Sequence, residues 1–176
     1  GIKRLRLGSL QPRTVTEDFA KRLAACEKIC PHFHLSLQSG CDATLIRMNR
    51  KYTTGEFAEG VKILRRYFDN PAITTDVIVG FPGETQEEFD VTYEYLKRIK
   101  FYELHVFKYS RRKGTMADKM PDQVDEQIKS ARSDRLLELD EKLSTQYREK
   151  YIGKDICVLT EEVNVIEGTA YMTGFT

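Results

Sequence analysis

The sequence lacks a strong net charge and a long apolar run, and both absences exclude classes of protein. Its 176 residues contain 28 lysines and arginines against 27 aspartates and glutamates, which gives a net charge of +1. This balance offers no global argument for nucleic-acid binding, so any such surface must be local. No run of about 18 apolar residues occurs and no basic, apolar leader is present, so we expect no membrane partner and no secretion.

Cysteine is also scarce, with four residues in the whole chain: Cys26, Cys30, Cys41 and Cys157. A chain of this length with an ordinary apolar core does not need a disulfide framework, so we expect a reducing, cytoplasmic location. Most cysteines of this kind are buried and unreactive. We therefore interpret the four as structural residues and expect no metal ligand in this chain.

Four short runs rich in apolar and β-branched residues predict strands: Ile2–Leu7, His32–Gln38, Ile73–Phe81 and Leu104–Tyr109. The stretches between them show helical periodicity, which in the first stretch places Cys26 and Cys30 on an apolar helix face. Three helices are predicted to begin with capping boxes, Thr14-x-x-Glu17, Thr53-x-x-Glu56 and Thr85-x-x-Glu88. Repeated strand–helix units predict parallel strands joined by right-handed crossovers.

The strands alternate between polar and apolar residues. In the second run one face carries His32, His34, Ser36 and Gln38, whereas the other face is apolar. Strands buried on both faces read as nearly continuous apolar runs, so the alternation favours a barrel whose inner face surrounds a cavity. We expect His34, Asp76 and His105 to face one another there, and the chemistry to lie at the carboxyl ends of the strands.

Four units cannot close a barrel. We therefore expect the remaining strands to come from chain outside this sequence, so that the sequence belongs to a larger protein. The first strand would then expose its edge, through which the isolated chain is expected to self-associate.

The pattern changes after Pro121. A long amphipathic helix is predicted from about Asp122 to Tyr151, ended by Gly153. Two strands are predicted beyond it, Asp155–Glu162 and Gly168–Phe175. We therefore divide the chain into a partial barrel (1–121), a helix that closes it (122–152) and a small β-module (153–176).

Three features are candidates for ligand binding. His32 and His34 share a strand face, but no third ligand is apparent and a zinc site needs three or four, which favours hydrogen-bonded interior histidines. The Gly80–Thr85 turn precedes a capped helix, where free N–H groups attract anions, although a generic tight turn has the same sequence. A basic cluster follows the fourth predicted strand and comprises Lys108, Arg111, Arg112 and Lys113. It is either a solvated loop or a site that binds a carboxylate or a phosphate.

Five motifs follow one another along the chain. They read His32-Phe-His-Leu-Ser-Leu-Gln-Ser-Gly-Cys-Asp42, Met48-Asn-Arg-Lys-Tyr-Thr53, Thr75-Asp-Val-Ile-Val-Gly-Phe-Pro-Gly-Glu-Thr85, His105-Val-Phe-Lys-Tyr-Ser-Arg-Arg-Lys-Gly-Thr115 and Tyr151-Ile-Gly-Lys-Asp-Ile-Cys-Val-Leu159. Together they resemble the radical S-adenosylmethionine (SAM) tRNA methylthiotransferase family, and the last resembles the start of its tRNA-binding TRAM module. The second motif and Cys41 are similar to the branch that acts on N6-threonylcarbamoyladenosine.

The resemblance implies an α/β fold, namely the second half of a partial parallel TIM-like barrel, followed by a long helix and the start of a small antiparallel TRAM module. It implies transfer of a methylthio group to an adenosine derivative next to the anticodon, at position 37 of tRNA. The implied partner is tRNA, and the implied cofactors are SAM and two 4Fe–4S clusters. The implied cofactor-binding residues are Gln38, Ser39, Asp76, Gly80, Gly83 and Arg112, while the catalytic residues stay unassigned.

The chain departs from the family at several positions. Ser36 and Lys108 stand where proline is usual, and Asp76 stands where the cofactor-binding pattern of the superfamily has glycine. Cys26-x-x-x-Cys30 matches two positions of the Cys-x-x-x-Cys-x-x-Cys cluster loop, but Phe33 occupies the third, where a thiolate is required. We therefore expect the cluster ligands to lie outside this sequence and the chain alone to be inactive.

Two alternative functions stay open. The first is a noncatalytic tRNA-binding module that uses the basic cluster and the TRAM-like end. The second is an unrelated α/β-barrel enzyme that binds phosphate at the Gly80–Thr85 turn. Salt-sensitive tRNA binding would favour the first alternative, and phosphate binding without SAM binding would favour the second.

Overall fold

The computed structural model describes residues 1–175. The chain divides into two units, Gly1–Thr145 and Gln146–Thr176. The strands are β1 (Leu5–Leu10), β2 (Ile29–Leu35), β3 (Ala72–Val79), β4 (Glu103–Lys108), β5 (Leu159–Ile166) and β6 (Thr169–Phe175). The α-helices are α1 (Glu17–Ala24), α2 (Asp42–Arg47), α3 (Thr54–Tyr67), α4 (Gln86–Ile99), α5 (Met116–Lys119) and α6 (Glu126–Glu149).

The first four strands form one parallel sheet in the order β1-β2-β3-β4. This arrangement confirms the predicted α/β fold with parallel strand–helix units. In its register, His34 lies opposite Thr74 and Asp76 lies opposite His105. Side chains two residues apart share a face of a strand, so His34, Asp76 and His105 lie on the same face of the sheet.

The opposite face of the sheet packs against the helices. Fully buried side chains of the sheet and of α3, α4 and α6 form one core, which includes Phe33, Leu35, Leu37, Ile73, Val77, Phe57, Leu64, Phe89, Leu96 and Leu136. Burial of a side chain of this size contributes about 1.5–3 kcal/mol. The apolar face of the strands therefore fixes the sheet against its helices and leaves the polar face for other contacts.

Helix α1 ends earlier than the sequence analysis predicted. The helix stops before Cys26, and Cys30 lies in β2. Pro31 accounts for the extended conformation of Cys30, because the residue before a proline is disfavoured in the helical conformation. Cys30 and Cys41 are buried, whereas Cys26 and Cys157 are exposed. Two of the four thiols are therefore buried, and the interpretation of all four as buried or inert residues stays a prediction.

Two of the three predicted capping boxes are present. In Thr53-x-x-Glu56 and Thr85-x-x-Glu88, each threonine hydroxyl accepts from the glutamate N–H and each glutamate carboxylate accepts from the threonine N–H. The third box, Thr14-x-x-Glu17, is wrong, because the hydroxyl of Thr16 caps α1. Pro12 begins a 3-10 turn that continues to residue 14, and this turn delays the start of the helix.

Helix α6 is shorter than predicted at both ends. It begins at Glu126 and ends at Glu149. Asp122 has a positive φ of 57°, which excludes this residue from the helix. Its apolar residues Leu136, Leu139 and Leu143 belong to the core of the first unit. No helix in residues 1–175 is both long and apolar enough to cross a membrane.

The second unit contains the antiparallel hairpin of β5 and β6. Glu167 and Gly168 connect the two strands with φ values of 50° and 79°, as a tight two-residue hairpin turn requires. Strand β5 begins at Leu159, later than the predicted strand, and continues beyond its predicted end. The likeness of this hairpin to a TRAM module stays a prediction, as do the boundaries of the three proposed regions.

Candidate functional site

Three side chains from neighbouring strands meet on the polar face of the sheet, as the sequence analysis expected. The carboxylate of Asp76 lies 3.3 Å from His34 Nε2 and 3.3 Å from His105 Nδ1. The two imidazole rings stack with their centroids 5.2 Å apart and their planes inclined by 20°. We call these three residues the His–Asp–His cluster. Side-chain exposure rises from 13% at His34 to 43% at His105, so the cluster is open on the β4 side.

His32, which was considered above as a partner of His34 in a metal site, is not part of this cluster. His34 Nδ1 instead shares a hydrogen bond of 2.9 Å with Thr74 Oγ1. His32 Nδ1 is buried without a hydrogen-bond partner among the described residues. Burial lowers the pKa of His32, and the charge of Arg6 lowers it further. The hydrogen bond of His34 agrees with the interpretation of an interior, hydrogen-bonded histidine, and the register between strands decides which side chains meet.

Gln38 extends the polar edge beyond the carboxyl end of β2. Its N–H donates to the carbonyl of Asp76 and its carbonyl accepts from the N–H of Ile78, both at 2.9 Å. Gln38 has a φ of 71°, and Ser9 and Asn49, which line the same cleft of about 290 Å³, have φ values of 54° and 57°. Left-handed conformations of residues other than glycine cost of order 1–3 kcal/mol and are typical of ligand sites.

Tyr52 holds the loop that carries Gln38. Its hydroxyl donates to the carbonyls of Ser36 and Leu37, each at 2.9 Å. Burial raises the pKa of Tyr52, and the charge of Arg50 opposes this shift. This positioning role of Tyr52 was not predicted, although Tyr52 lies within one of the motifs that carried the resemblance.

Ser39 fixes the same loop against α4. It is fully buried, its hydroxyl shares a hydrogen bond of 3.2 Å with Thr92 Oγ1, and it accepts from the N–H of Cys41 at 3.2 Å. A Cβ at Gly40 would lie 2.9 Å from Tyr95 Cβ, so only glycine permits this approach of the loop to the helix. The Ser39 side chain therefore positions the loop rather than facing the cleft.

Backbone N–H groups of the Gly80–Thr85 turn already donate hydrogen bonds to other groups of the protein. Three donors already have acceptors: Gly80 donates to Glu84 Oε2, Gly83 to the Asp122 carbonyl and Thr85 to Glu88 Oε2. Gly80 also lies beneath Lys129, since a Cβ at this position would be 2.1 Å from Lys129 Cγ. These contacts do not present the three N–H groups to a phosphate.

The basic cluster is exposed, and acidic residues neutralise half of it. Lys108 Nζ lies 2.7 Å from Glu126 Oε1, and Arg111 Nε lies 3.1 Å from Asp118 Oδ1. Arg112 and Lys113 are exposed, and neither forms an ion pair in the part of the chain that the structure describes. The unpaired positive charge of this loop therefore belongs to Arg112 and Lys113.

Comparison with known proteins identifies the family. Residues 3–96, more than half of the chain, match the Radical SAM superfamily. The chain belongs to this superfamily. A solved structure, the coproporphyrinogen III oxidase HemN from Escherichia coli, which is described as a radical SAM enzyme, matches 86% of this chain and 34% of its own chain with a TM-score of 0.64. At 20% identity this likeness shows the fold alone, a partial TIM-like α/β barrel.

The similar curated proteins are tRNA methylthiotransferases, which confirms the resemblance. The threonylcarbamoyladenosine tRNA methylthiotransferase MtaB of Bacillus subtilis is 44% identical over 162 residues, 92% of this chain and 36% of that protein. The tRNA-2-methylthio-N(6)-dimethylallyladenosine synthase of Acetivibrio thermocellus is 40% identical over 164 residues, 93% of this chain and 34% of that protein. The chain spans about a third of the length of these relatives.

Membership of the Radical SAM superfamily implies SAM as a cofactor, and the carboxyl end of β4 fits such a ligand. The hydroxyl of Tyr109 is buried without a hydrogen-bond partner in residues 1–175. Its ring meets Phe81 edge to face, with centroids 5.3 Å apart. An aromatic pair and an unused hydroxyl suit the adenine and polar groups of SAM.

The superfamily also implies an iron–sulfur cluster, and the cysteines of this chain do not fit one. Cys26 is exposed, Cys30 is buried in β2 and Cys41 is buried before α2. Within residues 1–175, the His–Asp–His cluster is the one group of three potential metal ligands. A 4Fe–4S cluster needs cysteine thiolates, so residues 1–175 offer it no ligand set.

Proposed function

We propose that this chain is part of a radical SAM enzyme that transfers a methylthio group to an adenosine derivative at position 37 of tRNA. The observation that carries the proposal is the convergence of His34, Asp76 and His105 on the polar face of a parallel sheet. The names of the relatives at 44% and 40% identity support the reaction and the tRNA substrate. Among the two named substrates we favour threonylcarbamoyladenosine, since that relative has the higher identity.

In this proposal the residues at the carboxyl ends of the strands hold SAM. Gln38 and Asp76 line the pocket, and Tyr109 supplies its unused hydroxyl. Ser39, Gly80 and Gly83 shape the two loops through the packing contacts described above. Arg112, exposed and without an ion pair in residues 1–175, binds the carboxylate of the cofactor or a phosphate of tRNA.

In this proposal the cofactors of the whole protein are SAM, which this chain helps to hold, and two 4Fe–4S clusters, for which residues 1–175 offer no ligand set. When bound, SAM with its cluster supplies the radical chemistry, and the protein orients the substrate. The chain by itself is therefore inactive. A 4Fe–4S absorbance after incubation of the 176-residue chain with iron and sulfide would contradict this part of the proposal.

A chimera tests the activity. The segment of the Bacillus subtilis relative that aligns with this chain would be replaced by the chain, and tRNA nucleosides from cells lacking the native enzyme would be analysed by mass spectrometry. We expect 2-methylthio-N6-threonylcarbamoyladenosine to form. The Gln38→Ala and Asp76→Ala chimeras should lose it, whereas Lys62→Ala, an exposed change on α3, should retain it.

The outcomes of this experiment separate the alternatives. A folded chimera with its clusters loaded and no methylthiolated product would overturn the proposed reaction. Formation of the dimethylallyl product alone would retain the reaction and correct the branch. Product formation that persists in both Gln38→Ala and Asp76→Ala would reject the proposed cofactor pocket.

Direct tRNA binding by the chain is the second candidate function, and the unpaired charges of Arg112 and Lys113 favour it. We expect binding that weakens with salt and is lost in Arg112→Ala with Lys113→Ala. Arg111→Ala is the matched control, because Asp118 already neutralises Arg111. Equal loss in both variants would reject this surface. The alternative of phosphate binding at the Gly80–Thr85 turn gains no support from a turn whose N–H groups are occupied.

Two further proposals concern the state of the protein. Strand β1 is an outer strand of its sheet, and we propose that the isolated chain self-associates through this edge. A strictly monomeric species in light scattering would reject this idea. A cytoplasmic location follows from the tRNA substrate, and cell fractionation of the tagged protein tests it.

A further inference from the structure

We propose that the His–Asp–His cluster binds one divalent transition-metal ion, such as Zn²⁺ or Fe²⁺. The ligands are His34 Nε2, the Asp76 carboxylate and His105 Nδ1. The site shares Asp76 with the proposed SAM pocket, and the inference goes beyond the proposed function because the ion would bind in the absence of SAM and tRNA. It rests on the geometry of the three side chains and on the support that Thr74 gives to His34.

The geometry suits a small coordination sphere. Each side chain offers one ligand atom, and the three atoms lie within 4.8 Å of one another. His34 Nε2 lies 3.3 Å from Asp76 Oδ2 and His105 Nδ1 lies 3.3 Å from Asp76 Oδ1, so each imidazole faces a different oxygen of the carboxylate. Both distances are close to the edge of a tetrahedron, about 3.3–3.6 Å, built from metal–ligand bonds of about 2.0–2.2 Å. An ion between the two rings would therefore be reached by either oxygen, or by both.

The types of ligand select the ion. Two imidazole nitrogens and one carboxylate oxygen form the set that catalytic zinc sites and non-haem iron sites use, with a further position left open for water or substrate. Mg²⁺ and Ca²⁺ prefer oxygen ligands throughout, so they are not expected here. The partial exposure of Asp76 and His105 gives an ion a route to the site.

Thr74 provides an outer contact typical of metal-binding histidines. The ring nitrogen that does not bind the metal usually donates to a neighbouring oxygen, which fixes the tautomer and the ring orientation. His34 Nδ1 lies 2.9 Å from the buried hydroxyl of Thr74. When Nδ1 donates this bond, the lone pair of Nε2 faces the Asp76 carboxylate, and a cation between them makes the contact favourable.

The backbone holds the three ligands in place. They lie on three adjacent strands, and the pairing of β3 with β4 sets Asp76 directly opposite His105. Ligands carried by strands are positioned more accurately than ligands carried by loops. The ion would therefore meet a largely prearranged site.

The test is a titration of the metal-free 176-residue chain with Zn²⁺ by calorimetry and with Co²⁺ by visible absorption. We expect one ion per chain with each metal, and no heat with Mg²⁺. His105→Ala and Asp76→Asn should abolish binding. His32→Ala should retain it, because His32 shares the face but not the cluster, and Cys26→Ser should retain it as a control for binding to an exposed thiol.

A weaker effect tests the outer contact. Thr74→Val keeps the shape of the side chain and removes its hydroxyl, so affinity should fall about 10–100-fold. His105 is exposed, so circular dichroism should show an unchanged fold in His105→Ala, and this variant decides the result if Asp76→Asn fails to fold. Absence of binding by the wild-type chain, or equal binding by His105→Ala, would overturn the proposal.

Discussion

Arg132 of α6 contacts Glu84 in the turn after β3, and both side chains are almost fully buried. Arg132 Nη1 lies 2.7 Å from Glu84 Oε2, with side-chain exposures of 6% and 1%. The same carboxylate oxygen accepts the N–H of Gly80 at 2.6 Å. Burial raises the pKa of Glu84, although the Gly80 N–H and Arg132 favour its charged form. The pair therefore ties the long helix to the loop that shapes the proposed cofactor pocket.

Arg132→Met should strongly destabilise the first unit. Removal of one partner leaves a buried carboxylate without its counter-charge, which costs about 3–5 kcal/mol in comparable pairs. The free energy of unfolding from urea denaturation, followed by circular dichroism, measures this loss. Addition of Glu84→Gln to Arg132→Met should restore part of it, because the unpaired charge is then removed.

Arg135→Met is the matched control for this change. Arg135 lies one turn further along α6, contacts the ring of Phe89 as Arg132 does, and pairs with Asp90 at 3.0 Å. Its side chain is 47% exposed, so the loss should stay below about 1 kcal/mol. Similar losses in the two variants would show that burial of the pair is not what makes it important.

Gly80→Ala should destabilise the turn more than Gly114→Ala. Both glycines have positive φ, 71° and 89°, so replacement by alanine introduces a backbone strain of about 1–2 kcal/mol at either position. At Gly114 the new Cβ meets open space, whereas at Gly80 it lies 2.1 Å from Lys129 Cγ. Thermal unfolding of both variants, and of Gly80→Ala with Lys129→Ala, separates the two effects. Lys129→Ala should relieve the steric collision in Gly80→Ala and leave the backbone strain. Equal losses of stability in Gly80→Ala and Gly114→Ala would show that the collision with Lys129 contributes nothing.

The alternation of residues along single strands was sufficient to predict the parallel sheet and its polar face. Phe33 and Leu35 alternate with His32 and His34, and the structure buries the first two against the helices. Two predictions of local structure were wrong at positions close to a proline. Pro31 disfavours a helical conformation at Cys30, and Pro12 begins a turn that moves the helix cap from Thr14 to Thr16. Both prolines are visible in the sequence, but the helical periodicity and the capping-box pattern favoured the wrong positions.

The contents of the site were less accessible to prediction. The meeting of His34, Asp76 and His105 followed from their shared face, but their ligand geometry depends on the register between strands, which no single strand encodes. The occupation of the turn at Gly80 by Lys129 also joins residues far apart in the sequence. Such contacts depend on how α6 packs, and its sequence indicates only which of its faces is apolar.

Glu126 should titrate far below an ordinary glutamate. Hydrogen bonds from Lys108 and Lys129 lower the pKa of Glu126 to about 2 from its usual 4.5. A carboxyl pKa that folding lowers contributes stability above pH 4.5, and this contribution is lost as the pH falls through about 2. Carboxyl NMR titration should show the pKa rising toward its usual value in Lys108→Met. Lys113→Met, which removes an unpaired charge of the same basic cluster, should leave the pKa of Glu126 unchanged, and an equal rise in both variants would indicate a general effect of charge.

Thr16→Ala should cost α1 about 1 kcal/mol, within a range of about 0.5–2 kcal/mol for the loss of a helix cap. The reason is that the Thr16 hydroxyl accepts the N–H of Phe19 at 3.2 Å. Thr14→Ala is the matched control, because this exposed threonine ends the 3-10 turn and does not cap the helix. Urea denaturation of the two variants distinguishes the cap that the sequence pattern favoured from the cap that the structure contains. A larger loss in Thr14→Ala would mean that the Thr14 box forms in solution and that Pro12 does not delay the helix.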